Sequence, residues 1–194
     1  MLPNAPKCNK IKLKFEFGWM DLDKKKALIL YGSPHKSGHT RKALDEIVVT
    51  LQNEFEFTFI DAFKAKVAPC VDCGSCKTRE SCVSSDFANI DAAIRTCELI
   101  IIATPIYNLS FPAPLKAIFD RTQLYYNMKV HLKKNPFKQQ KAAILVATCG
   151  ARDPDCEEII LKQLQLFLTL INAKLIKSVF ISNTDSSPPA TDRT

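Results

Sequence analysis

Glycine is scarce, with five residues in 194. No apolar run reaches the ~18 residues that a membrane-crossing helix requires, so no span is expected. The start of the chain has no uninterrupted apolar core of a secretory signal, which makes the cytoplasm the expected location. The net charge is +7, from 27 basic and 20 acidic residues, and the cations form no stripe. Nucleic-acid binding calls for clustered Lys and Arg with exposed aromatics, so it is not expected. The hydrophobic share of 46% and charged share of 24% exclude an intrinsically disordered chain. The length implies one domain with short additions, and a core that needs no disulfides.

Apolar runs and helical periods alternate along the chain. Ala27–Tyr31 reads as a buried strand ended by Gly32. Ala43, Leu44, Ile47, Val48 and Leu51 fall on one face of a helix. A strand over Phe55–Ile60 precedes a cysteine-rich loop, residues 69–85. A short helix near Ile90–Arg95 leads to a third strand, Leu99–Ala103. Phe111–Tyr126 reads as one helix, with Pro112 and Pro114 in its first turn. A strand over Ala142–Thr148, a long helix over Pro154–Ile171 and a strand over Lys174–Ser182 complete the series. This pattern predicts an α/β fold: a doubly wound, five-stranded parallel sheet in the order 2-1-3-4-5, with helices on both faces. The domain is expected over residues 25–183. Residues 1–24 read as an extension, either an extra edge strand (Ile11, Leu13, Phe15 and Phe17 alternate with polar residues) or an appendage. Met20 is the expected native start, and residues 184–194 the expected flexible tail.

Ligands of such sheets bind at the carboxyl ends of the strands, where the order reverses. The loop after the first strand is Gly32-Ser33-Pro34-His35-Lys36-Ser37-Gly38-His39-Thr40. Its hydroxyls can donate to an anion, Gly38 permits close approach, and the following helix start adds unpaired N–H groups. It has neither the Gly-Lys-Ser/Thr ending of a nucleotide P-loop nor the GxGxxG dinucleotide pattern. A phosphate site lacking both suggests a mononucleotide such as FMN. A plain capped helix start is the alternative. The loop after the third strand, Thr104-Pro105-Ile106-Tyr107-Asn108-Leu109-Ser110, could flank a flat ring. Thr148-Cys149-Gly150-Ala151-Arg152 follows the fourth strand. Outside the N-terminal stretch, every glycine lies in a candidate site loop.

Eight cysteines stand out in a chain without an export signal, where metal or redox chemistry is favoured over disulfides. Cys70, Cys73, Cys76 and Cys82 form C-x2-C-x2-C-x5-C in one loop. Tightly spaced thiolates suit an iron–sulfur cluster, whereas structural zinc more often uses two separated pairs. A cluster, zinc and redox-active thiols all remain open on the spacing alone. Cys8, Cys97 and Cys156 have no spacing pattern; Cys97 reads as a packed thiol.

The sequence resembles the flavodoxin-like NAD(P)H-dependent FMN reductase family. The matching residues are Gly32–Thr40, Ala103-Thr104-Pro105-Ile106-Tyr107-Asn108 and Leu115-Lys116-Ala117-Ile118-Phe119-Asp120-Arg121, and the likeness runs from about Lys26 to Ser182. By this resemblance Ser33, His35, Ser37, His39 and Thr40 hold the FMN phosphate, Pro105–Leu109 run along the ribityl chain and ring, and Thr148–Ala151 close the other edge. The family often has Arg at the place of His35 and Asn at the place of His39. Either Lys36 supplies the missing charge or phosphate binding is weaker. The cysteine spacing is similar to that of the iron–sulfur flavoprotein branch. That likeness implies a [4Fe-4S] cluster on Cys70, Cys73, Cys76 and Cys82, and a homodimer or homotetramer. The implied function is an oxidoreductase that passes electrons from NAD(P)H, or from reduced ferredoxin through the cluster, to a flavin, quinone or oxygen-derived acceptor. No side chain is expected to act as nucleophile or general base, because the chemistry is the flavin's. The rivals are a non-enzymatic flavodoxin-type carrier and a zinc or thiol regulatory protein on the same fold.

Overall fold

Short apolar runs, each too brief for a buried helix, become the strands of one sheet. The computed structural model of the chain describes residues 24–151 and 155–186. The alternating stretch from Ile11 to Phe17, Cys8, the proposed start at Met20, Arg152, Pro154 and the end from residue 187 lie outside them. The strands are β1 (Lys25–Tyr31), β2 (Phe55–Asp61), β3 (Leu99–Pro105), β4 (Lys141–Thr148) and β5 (Ala173–Ile181). All pairs are parallel and the order is β2-β1-β3-β4-β5, as the alternation predicts. The helices are α1 (His39–Leu51), α2 (Ala62–Ala65), α3 (Ala88–Thr96), α4 (Ala113–Arg121), α5 (Gln123–Val130) and α6 (Cys156–Leu170).

Side chains alternate across the sheet, so each strand feeds two cores. Ile29, Ile101, Ile144 and Val146 meet the apolar stripe of α1, formed by Ala43, Leu44, Ile47 and Leu51. Leu28, Leu30, Ile100, Ile102 and Leu145 face α3 to α6. Within that second layer Phe119 of α4 stacks on Phe167 of α6, with ring centroids 4.2 Å apart.

Three local features differ from the sequence reading. The single helix expected over Phe111–Tyr126 is two, α4 and α5, joined at Thr122. The Thr122 hydroxyl donates to the Phe119 carbonyl at 2.6 Å and closes α4. The four-residue α2 is additional, and the Asp61 carboxylate caps it by accepting from Phe63 N–H at 3.0 Å. Thr184–Ser186, assigned by sequence to the tail, is a 3-10 turn tied to the β4 loop. Its Thr184 and Asp185 N–H groups donate to the carbonyls of Cys149 and Gly150 at 3.1 and 3.2 Å.

Candidate functional site

The β1–α1 loop starts where Gly32 N–H donates to the Ala103 carbonyl of β3 at 2.8 Å. A side chain at Gly32 would force its neighbours to shift: a Cβ there would lie 2.6 Å from Leu115 Cδ2 and 3.0 Å from Thr104 Oγ1. Ser33 is buried, and its Oγ accepts the His35 N–H at 3.3 Å. The Tyr31 hydroxyl donates to the His35 carbonyl. These bonds turn the loop outward, leaving His35 and Lys36 exposed and Ser37, Gly38 and His39 half-buried. At the start of α1, Gly38 makes no side-chain cap and the first turn has no acid. Its N–H groups and positive dipole end favour an anion there. Thr40, in the first turn, is buried and shares a 2.8 Å hydrogen bond with Thr148 at the end of β4.

The β3 loop is fixed by its backbone. Ile106 N–H donates to the Thr148 carbonyl at 2.8 Å. Tyr107 and Ser110 exchange two backbone bonds of 2.9 and 3.0 Å around a two-residue tip. Asn108 and Leu109 at that tip have φ of 51° and 56°, a backbone that a branched residue such as leucine rarely adopts. Gln163 of α6 holds the tip, donating to the Leu109 carbonyl at 2.9 Å and accepting from Ser110 Oγ at 3.0 Å. Thr104 and Ile106 point into the protein, whereas Tyr107 and Leu109 stand 43% and 38% exposed. Partial burial pushes the Tyr107 phenol above its usual pKa, so it is uncharged near neutral pH.

Three loops from three strands therefore meet at one end of the sheet. Of the residues singled out there by sequence, the structure presents Lys36, Ser37, His39, Tyr107 and Leu109 on the surface side. It buries Ser33, Thr40, Thr104, Ile106, Thr148 and Cys149 as the frame behind them. At Gly150 the space a Cβ would occupy is taken by the Asp185 carboxylate. Gln163 and Asp185 had no sequence signal, because each reaches the site from a distant element. Two cavities among the described residues lie away from these loops. One of about 460 Å³ opens at the opposite end of the sheet beside Phe55 and Phe137, and one of about 700 Å³ between α6 and β5.

The cysteine loop packs against α4 and α5. Cys70, Cys73, Cys76 and Cys82 line one hollow of about 20 Å³, together with Arg121, Leu124 and Asn127. Asn127 Nδ2 donates to Cys76 Sγ at 3.0 Å. Hydrogen bonds from Ser75, the backbone one foremost, hold the exposed Cys73 thiol below its usual pKa. Arg121 is 6% exposed; it pairs with Asp86 at 2.6 Å and reaches the Ala68 carbonyl at 3.3 Å. It thereby pins both stems of the loop. Soft thiols around one hollow, with a side-chain amide at one sulfur and a guanidinium nearby, fit an anionic cluster chemically. The hollow itself has room for about one water. Among the described residues no three Cys, His, Asp or Glu side chains converge at metal distance. A cluster is seated there only with the loop spread. Cys97 stands apart, its thiol pushed up to about 11 by burial.

A doubly wound sheet of this order, with its site loops at the β1/β3 switch point, defines the flavodoxin-like class. The sequence profile of the NADPH-dependent FMN reductases matches residues 25–185, and the chain belongs to that family. An iron-sulfur flavoprotein from Methanosarcina thermophila is 31% identical over 131 residues, covering 66% of this chain and 65% of its own. One from Archaeoglobus fulgidus is 31% identical over 102 residues, covering 52% and 46%. The chain thus spans roughly half to two thirds of the lengths of these curated relatives. Among solved structures, an NAD(P)H:quinone oxidoreductase from Methanothermobacter marburgensis shares the fold, with a TM-score of 0.67 at 15% identity over 88% of both chains. An azoreductase from Bacillus anthracis gives a TM-score of 0.59 at 15% identity, over 84% of this chain and 88% of its own.

Proposed function

We propose that the protein is an FMN-dependent oxidoreductase that draws electrons from NAD(P)H and delivers them to a flavin, quinone or oxygen-derived acceptor. The observation that carries this reading is the meeting of the three loops at the start of α1, where the N-cap residue is Gly38, locked by the Thr40–Thr148 bond. Bound FMN supplies the hydride chemistry. The chain's own residues bind, orient and shield. Ser37, His39 and the first N–H groups of α1 hold the phosphate, with Lys36 as the nearby cation. Pro105–Leu109 run along the ring, and Tyr107 and Leu109 offer uncharged surfaces to it. Thr148–Gly150 close the far edge. Cys70, Cys73, Cys76 and Cys82 hold a [4Fe-4S] cluster once the loop spreads, a reading supported by their spacing and by the names of the relatives. Reduced ferredoxin is then a second donor. The same reading takes the protein as a cytoplasmic homodimer or homotetramer.

The test is a visible spectrum with iron and zinc analysis on protein purified without oxygen, followed by turnover with NADH and NADPH. Flavin bands over a broad background, about four irons per chain and steady turnover are the expected result. Flavin bands without turnover would make it a carrier, and bands without iron would remove the cluster. A colourless protein that does not take up FMN would overturn the whole reading.

A further inference from the structure

We propose that Cys149 and Cys156 form a reversible dithiol–disulfide pair that loosens the nucleotide cradle when oxidised. Cys149 follows β4 and Cys156 is the first residue of α6. Their sulfurs lie 3.6 Å apart, and both side chains are withdrawn from solvent, at 8% and 0% exposure. A disulfide needs about 2.05 Å, so the sulfurs must close by about 1.5 Å. Helix α6 cannot slide far to supply this, since Ile160, Leu164 and Phe167 fix it in the core. Nor can the backbone of Cys149 yield freely. Its N–H donates to the Ile181 carbonyl at 2.8 Å, and its carbonyl accepts from Thr184 N–H and Oγ1 at 3.1 Å each. The approach therefore falls on side-chain rotation, on the first turn of α6 and, for the remainder, on a shift of the end of β4 that carries Cys149.

The pair adjoins the cradle through one residue. Thr148 precedes Cys149 and carries the hydrogen bond to Thr40 in α1. Drawing Cys149 toward α6 pulls this corner away from α1. The link to FMN rests on the function proposed above, whereas the disulfide itself does not.

Burial excludes bulky disulfide reagents and admits a small peroxide. One thiolate attacks an oxygen of hydrogen peroxide, the O–O bond breaks, and hydroxide leaves to be protonated to water. The second sulfur then displaces the hydroxyl of the sulfenic acid as water, and the S–S bond forms. Two thiols and one peroxide become one disulfide and two waters. A dithiol reductant reverses this by two exchanges.

The experiment treats the reduced full chain with one equivalent of hydrogen peroxide, then alkylates it unfolded and digests it with trypsin. The sequence places Cys149 in the peptide Ala142–Arg152 and Cys156 in Asp153–Lys162. The expected product is these two peptides linked, about 2 Da lighter than their sum, and separated again by dithiothreitol. FMN titration of both forms should show about fivefold weaker binding after oxidation, a loss absent in Cys156→Ser. Both cysteines recovered alkylated while Cys73 is oxidised would overturn the proposal, as would either cysteine linked instead to the 70–82 run. A linked pair with unchanged FMN affinity would overturn the loosening. A linked pair in a protein that binds no FMN in either form would uphold the pair and overturn the cradle.

Discussion

Asp86 accepts hydrogen bonds from three parts of the protein. Ser84 Oγ donates at 2.6 Å, Ala68 N–H at 2.8 Å and Arg121 at 2.6 Å. Burial raises its pKa, but these donors outweigh it and hold the carboxyl below its usual range. A carboxylate whose folded pKa is depressed adds stability that is complete above the unfolded value and is lost as pH falls through the folded one. Urea midpoints of the wild type should therefore drop between about pH 5 and pH 3, partly through Asp86. Asp86→Asn should lower stability near neutrality by about 2 kcal/mol, since it leaves the Arg121 guanidinium buried without its anion. The variant should also show a flatter acid limb. An acid limb as steep as the wild type's would remove Asp86 from this role. Arg121 was legible only as part of the family-like Leu115–Arg121 segment. No local pattern shows that an arginine at a helix end faces inward, because its partners are set by the path of a loop dozens of residues earlier.

At the scale of elements, β1, the cradle loop and α4 are locked together at Gly32. In Gly32→Ala the new methyl meets the side chain of Leu115, which is fully buried. Overpacking of this kind costs about 1–3 kcal/mol, so the urea midpoint should fall by that amount, with FMN affinity falling beside it. An unchanged midpoint would mean that Leu115 gives way freely. Gly32, ending an apolar strand run, was readable from sequence as a turn, yet the reason for it (a helix passing overhead) was not. The three inner strands were also readable, because β1, β3 and β4 are continuous apolar runs. β5 is less so: its register slips between Ala143 and Ile144, leaving Ile176 as the extra residue, 44% exposed. The break at Thr122 left no trace either, since its φ of −70° and ψ of −2° lie close to helix and any residue adopts them.

For the whole molecule, the site is a property of strand order. Loops distant in sequence converge because β1 and β3 are neighbours and β4 lies next to β3. That order follows from alternating strands and helices, so the general position of the site was legible. The closure of Gly150 by Asp185 and the Gln163 clamp on Leu109 were not, because they depend on where α6 and the chain after β5 come to rest. Binding at three strands at once should stabilise the entire fold. FMN at about 100 times its dissociation constant adds about 2.7 kcal/mol, or about 5–10 °C in melting temperature for a domain of this size. A melting temperature that does not respond to saturating FMN would place the ligand elsewhere.

The same strand order shapes how the protein is made. Ala27 of β1 ends up paired with Leu99 of β3, and Leu99 with Ala142 of β4. Of the described strands β1 leaves the ribosome first, and among them it has only β2 for company while the cysteine loop and α3 are still being translated. At about 5–20 residues per second the wait lasts on the order of several seconds. Through that interval an apolar ribbon with a bare hydrogen-bonding edge faces the cell. During synthesis, then, this chain passes through an interval in which an unpaired edge is open to association with other chains.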